Sequence, residues 1–424
     1  FAEPDGHFRV VLPIVPEPSF IDTPIYAQAG TLVFVPTLFD RLSNPTAFRW
    51  ANSGTFRDRT ISMTSPRVFG TALPRADRKW MVAGGGGGAL LAQVGFDTTD
   101  VYDPVADTFT PGPMLTTPRS MHTATLLPNG RWLLAGGVNA SNDPQPSCEV
   151  YDPVTDTFSA VASMGTPRMG HTATLLNNGK VLVTGGLQAL TVVPTQLSAI
   201  HDITNTAEVY DPVADTWTAV PNLSTPRAGH VAILRPDGKV LLAGGLSWDN
   251  VIVIGWLPAV RRSCDLYDPV ANTMTSAPQM ATARSLIDPI DLGGNRWLVA
   301  GGIAALTLTN PGTPTATAEI YDAALNTWTT VGSMAAARGN QRGWAIGGGK
   351  FLLAGGASGS VLSPTPLATT EIFSTATNTF SAGPAMTSPR AGAAALLTPY
   401  GQIHLFGGAS TGGPVTAATE WYFF

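Results

Sequence analysis

The sequence predicts an all-β propeller, and three observations carry that prediction. The 424-residue chain repeats itself about every 50 residues, a period that belongs to arrays of one supersecondary unit. Within each copy, four short apolar runs are separated by turn residues, the pattern of a four-stranded antiparallel meander. The composition suits many short strands and turns: 45 Gly and 35 Pro, with 44% hydrophobic and 12% charged residues. The apolar content argues against disorder.

The unit is clearest over residues 117–217, where TPRSMHTATLLPNGRWLLAGG and CEVYDPVTDTFSAVASM are followed at once by TPRMGHTATLLNNGKVLVTGG and AEVYDPVADTW. We label its strands A to D. Strand A is HTATLL and ends in a turn such as Pro128-Asn129-Gly130. Asn-Gly there tolerates positive φ and marks a hairpin. Strand B is RWLLAGG, ending in a glycine pair. Strand C is EVY before Asp152-Pro153, and strand D runs from Thr157 to Met164. Seven glycine pairs recur, at 84–85, 136–137, 185–186, 244–245, 301–302, 355–356 and 407–408.

Residues 7–63 read as a worn additional copy. Within it, residues 19–63 are a degenerate blade whose strand D spans 54–63, and 7–15 (HFRVVLPIV) are an outer strand that pairs with the C-terminal strand at 420–424 to close the ring. The whole chain, 1–424, is then one propeller domain with seven clear repeats over 64–424. Eight blades are expected, with seven as the alternative.

The glycine pair, the E-x-Y-D-P turn, the aromatic about seven residues after the tyrosine and the Pro-Arg restart together resemble the kelch repeat. The resemblance covers 64–424 strongly and 7–63 weakly. It implies a kelch-type β-propeller, a fold used by oxidases, epimerases, specifier proteins and many protein-binding modules, so function has to be argued from sites.

An arginine opens strand A in each of the seven clear repeats: Arg67, Arg119, Arg168, Arg227, Arg284, Arg338 and Arg390. The same repeats carry an acid in strand C: Asp100, Glu149, Glu208, Asp265, Glu319, Glu371 and Glu420. The worn copy has Ser19 and Phe48 in these slots and lacks both groups together. The joint loss identifies the two slots as partners, one structural Arg–carboxylate pair per blade. Tyrosines of strand C and aromatics of strand D recur in nearly every copy and read as inter-sheet packing.

His122, His171 and His230 share one slot of strand A in consecutive repeats. They are the one candidate metal set, a weak one, since no recurring carboxylate orients them. The expectation is no metal and no cofactor. The copper-radical oxidases of this fold use two tyrosines, two histidines and a tyrosine-linked cysteine. Here the tyrosines and both cysteines, Cys148 and Cys264, fill packing slots, and no Tyr-His dipeptide occurs. No nucleophile elbow, P-loop, dinucleotide fingerprint or zinc spacing is present.

The B–C loops vary while the other turns do not. They lengthen at 187–207 and 246–264, in the repeats opened by Arg168 and Arg227. Loops that differ on a constant scaffold are where binding resides. Trp248, Asp249, Trp256, Arg261, Arg262 and His201 are candidate contacts for a protein or glycan partner, although packing over the channel mouth explains the same residues equally well. A second candidate is the Arg284 repeat, whose strand A reads LIDPIDLGG. Pro289 breaks the strand, and Asp288 and Asp291 are expected to face the channel with Gln341 and Arg342. The first reading of function is thus a secreted or surface-displayed binding module. An enzyme acting on a sugar or small metabolite at the channel mouth, and a subunit of a larger assembly, are the alternatives. The net charge of -5 gives no reason to expect nucleic acid, and no apolar run is long enough for a transmembrane helix.

Overall fold

A computed structural model describes residues 54–424, apart from 90–91, 105, 190–201, 252–254, 308–309, 311, 361–362, 399–401, 411–414 and 424. Seven four-stranded antiparallel sheets occur among the described residues, each in the order A-B-C-D. We name each blade by its arginine. In the Arg168 blade the strands are Thr172–Leu175, Val181–Thr184, Ala207–Asp211 and Thr216–Val220. Strand B is buried along its whole length, whereas strand D has only exposed and half-buried residues. This is the gradient expected from the channel-side sheets outward.

The ring is closed from both ends of the chain, but by a different segment from the one expected. Strand D of the Arg390 blade is Thr55–Ser62, which pairs antiparallel with the C-terminal strand Ala418–Phe423, Asp58 opposite Glu420. The segment 54–63 is therefore a strand D, as its spacing indicates, yet it completes the last blade instead of a blade of its own. Seven blades result. Residues 7–15, proposed for that outer position, lie outside the described residues, as does most of 19–63. Aromatic contacts secure the seam: Phe56 of the closing strand meets Tyr422 at 4.9 Å, and Tyr102 of the Arg67 blade meets Trp421 edge-on at 5.7 Å.

All seven predicted Arg–carboxylate pairs form, at 2.5 to 3.2 Å. Every ring arginine is 2% exposed or less. Each guanidinium also donates from Nη1 to the carbonyl of its own blade's first pair glycine, as Arg168 does to Gly185 at 2.7 Å. Each carboxylate accepts a backbone N–H from the connection entering its blade, as Glu208 does from Gly165 at 2.6 Å. Buried charges are tolerated only when paired and hydrogen-bonded in this way. Burial still pulls the Arg168 guanidinium below its usual value, with Glu208 opposing the shift.

The glycine pairs extend this local knot into a circuit. The second glycine of each pair donates its N–H to the backbone carbonyl of the next blade's arginine. The sequence runs Gly85 to Arg119, Gly137 to Arg168, and onward until Gly408 donates to Arg67 at 3.0 Å, which returns to the start. Only glycine fits the first position: at Gly185, with φ +62, a Cβ would lie 2.2 Å from the Arg227 carbonyl oxygen.

A second ring lies two residues after each arginine. Phe69, Met121, Gly170, Gly229, Leu286, Asn340 and Gly392 all have positive φ. Phe69 donates to Gly392 O, Met121 to Phe69 O, Gly229 to Gly170 O, Leu286 to Gly229 O and Asn340 to Leu286 O. Four non-glycine residues are thus held left-handed where the blades converge, and such strain persists only where surrounding structure dictates it.

Candidate functional site

The described ends of the 187–207 insertion meet the hairpin of the 246–264 insertion. Leu187 and Ile203, which flank residues 190–201, join Leu246 and Trp248 in one buried apolar cluster with Val138, Met169, Ala228 and Leu306. Four blades contribute to this roof. Trp248 is 6% exposed, so it packs into the roof instead of presenting an outward contact. Asp249 is exposed and pairs with Arg261 at 2.5 Å, while Arg261 also donates to the Trp248 carbonyl at 3.2 Å. These two charges serve the hairpin Leu246–Val251/Gly255–Val260 that carries them. Arg262 is exposed. Trp256 stands opposite Asn250 in the hairpin register, and His201 lies outside the described residues.

Sequence reasoning missed what lies beside that hairpin. The next two blades also raise two-stranded hairpins, Ile303–Ala305 with Thr313–Pro314 and Ala357–Ser360 with Ser363–Pro366. Strand Gly255–Val260 packs against the first of these, and Thr313–Pro314 packs against the second. The B–C segments 303–318, 357–370 and 409–419 contain no Asp, Glu, Lys, Arg or His. This absence was readable from the sequence, but loop length drew attention away from it. The opposite face is different in kind. Its turns carry surface ion pairs in one blade after another, Lys79–Asp103, Arg131–Asp152, Lys180–Asp211 and Lys239–Asp268.

The three histidines are inter-blade links. Nε2 of His122, His171 and His230 lies 3.0 Å from Oγ1 of Thr71, Thr123 and Thr172 of the preceding blade. Each ring is spent on a separate neighbour, and no group of three or more potential metal-ligating residues occurs among the described residues. Burial is the main cause that pushes all three down to about 3, with the adjacent ring arginines contributing, so they are neutral at physiological pH.

Gln341 occupies the histidine register in its own blade. It is buried, and its amide donates to the Ala300 carbonyl of the preceding blade at 2.6 Å. It is therefore a further inter-blade link, contrary to its expected place in the channel. Asp291 is also displaced from the channel group: it caps the turn after strand A, accepting from Gly293 N at 2.7 Å. Asp288 and Arg342 do line the channel and form an ion pair. As Pro289 predicts, strand A of this blade begins late, at Ile290.

Both cysteines are free and buried. Burial pushes the Cys148 thiol up to about 12 and the Cys264 thiol to about 11, which leaves them unreactive. Tyr102, Tyr151, Tyr210, Tyr267 and Tyr321 are buried in their packing slots, each hydroxyl bonded to an Asp or Asn five residues on.

Seven meander blades tied by one repeated arginine knot define a tandem-repeat β-propeller. Residues 119–165 and 167–224 match the Kelch motif, which supports a kelch-type propeller. It is similar to the F-box/kelch-repeat protein SKIP4 of Arabidopsis thaliana, 31% identical over 105 residues, which span 24% of this chain and 26% of that protein. Among solved structures it is similar to a fungal alcohol oxidase of the AA5 family in complex with copper, with a TM-score of 0.65 and 18% identity over 87% of this chain and 76% of that one. It is also similar to the structure of YjhT, with a TM-score of 0.52 and 16% identity over 73% of this chain and 96% of that one. At such identities the two structural likenesses bear on the fold alone.

Proposed function

We propose that this chain is a binding module for another protein, and that the B–C face is its contact surface. The observation that carries the reading is the run of uncharged B–C segments in the Arg284, Arg338 and Arg390 blades, standing beside the Arg227 hairpin. Such a surface is covered at little desolvation cost, whereas the ion-paired turns of the other face resist it. Kelch propellers commonly bind proteins, which supports the same reading. Display outside the cytoplasm belongs to the proposal: both cysteines are buried, so the surface offers no thiol to an oxidising exterior.

The test is a loop exchange. Residues 303–314 are replaced by a short Gly-Ser turn, and proximity labelling in the source cells compares partners of the exchanged and unaltered chains. A protein partner lost on exchange, with the melting temperature kept, supports the proposal. Retention of all partners, or binding on a glycan array in place of any protein, overturns it. The association rate with the partner should change little with added salt, because no charge on these loops steers the encounter.

A further inference from the structure

One ion pair stands outside the repeated pattern. Asp288 and Arg342 each lie four residues after their blade's arginine, in the register that holds Thr71, Thr123, Thr172, Val231 and Ala394 elsewhere. They meet across the gap between two blades, with side chains 58% and 40% exposed. No partner in the seven ring pairs exceeds 8%. With Ile290 and Trp344 they line a channel cavity of about 280 Å³, and their exposure shows that solvent reaches them.

The pair brings the fold little. An exposed pair adds little stability, because water screens its attraction. Asp288-Pro289 removes from strand A the two positions that other blades pair with strand B. The two blades are already joined one residue away, where Gln341 donates to Ala300 O. A local cost without a structural return marks a site.

The chemistry of that site follows from having one charge of each sign side by side. A simple anion is drawn by Arg342 and repelled by Asp288, and a simple cation meets the reverse. A ligand with both charged groups on one carbon satisfies both side chains. It exchanges one exposed ion pair for two charge-assisted hydrogen bonds. We propose that the channel binds a small zwitterion, an α-amino acid with an apolar side chain. Its carboxylate accepts from the Arg342 guanidinium, its ammonium donates to the Asp288 carboxylate, and its side chain rests against Ile290 and Trp344. This site is separate from the B–C face and stands or falls independently of it.

Calorimetric titration of the whole chain with three matched probes tests the proposal: L-leucine, 4-methylpentanoate, which lacks the ammonium, and 3-methylbutylamine, which lacks the carboxylate. Leucine is expected to bind, and each one-charge analogue to bind about tenfold more weakly or worse. Asp288→Asn and Arg342→Gln should lose leucine by a similar factor while melting as the unaltered chain does. No heat with leucine, or an analogue that binds as tightly as leucine, overturns the assignment. So does Asp288→Asn binding leucine with undiminished affinity. The probe series on the unaltered chain decides the question even if a variant melts early.

Discussion

The seven ring pairs and the Asp288–Arg342 pair use the same two functional groups and do opposite things. In the ring, each guanidinium bonds a carboxylate and two carbonyls, as Arg168 does, and each carboxylate accepts a backbone N–H. Both partners of every ring pair are buried, so neither a ligand nor bulk water reaches them. In the channel, one contact joins the partners and the rest of each group faces solvent. An Arg–carboxylate motif is therefore a fastener or a receptor according to what else surrounds it. Burial decides between the two more than residue type does.

The comparison is broken most forcefully by acid. His122, His171 and His230 belong to the fastened side of the molecule, and their folded-state values near 3 lie below the value of 6.5 for an exposed imidazole. As pH falls through 6.5 the unfolded chain takes up protons that the folded chain refuses. Stability is full above that value and drains away between 6.5 and about 3. By pH 5 each histidine accounts for a loss of about 2 kcal/mol. Denaturant titrations from pH 7.5 to 5 should show this slope, and His171→Gln, which copies the natural Gln341, should flatten it by about one third. An unchanged slope would remove His171 from the linkage.

Next in size is a break in one ring pair. Glu208→Ala leaves the Arg168 charge buried beside a void and should cost about 3 to 5 kcal/mol by equilibrium unfolding. A loss below about 1 kcal/mol would mean that the circuit does not depend on its pairs. The smallest effect belongs to the channel: Asp288→Asn should change stability by about 1 kcal/mol or less, measured in the same way. A large loss there would place the channel pair among the fasteners and remove the contrast.

Most of the fold was legible because a repeat compares a sequence with itself. The arginine and acid slots identified one another by vanishing together in residues 19–63, and each of the seven predicted pairs is present. Closure was less legible. The apolar run at 7–15 looks more like a strand than TFRDRTIS at 55–62 does, but an outer strand has one wet side and needs little hydrophobicity. The copy at 19–63 was counted as a blade because a strand D was recognised without the sheet that owns it. Gln341 was misplaced for a related reason: its register matches His122, His171 and His230, and the match outweighs its resemblance to a channel polar group. Trp248 gave no such signal. An apolar insertion that forms a roof and one that forms a contact surface have the same composition.

By itself the sequence determined the repeating unit, the residues that fasten it and the blade that departs from the rule, because each is a local pattern that recurs at fixed spacing or visibly fails to. The tertiary structure alone decided which strand seals the wheel, which loops pack together and which side chains keep contact with water. Those outcomes depend on residues far apart in the chain: Asp58 meets Glu420, and Asp288 meets Arg342. No local spacing encodes the free energy of such encounters.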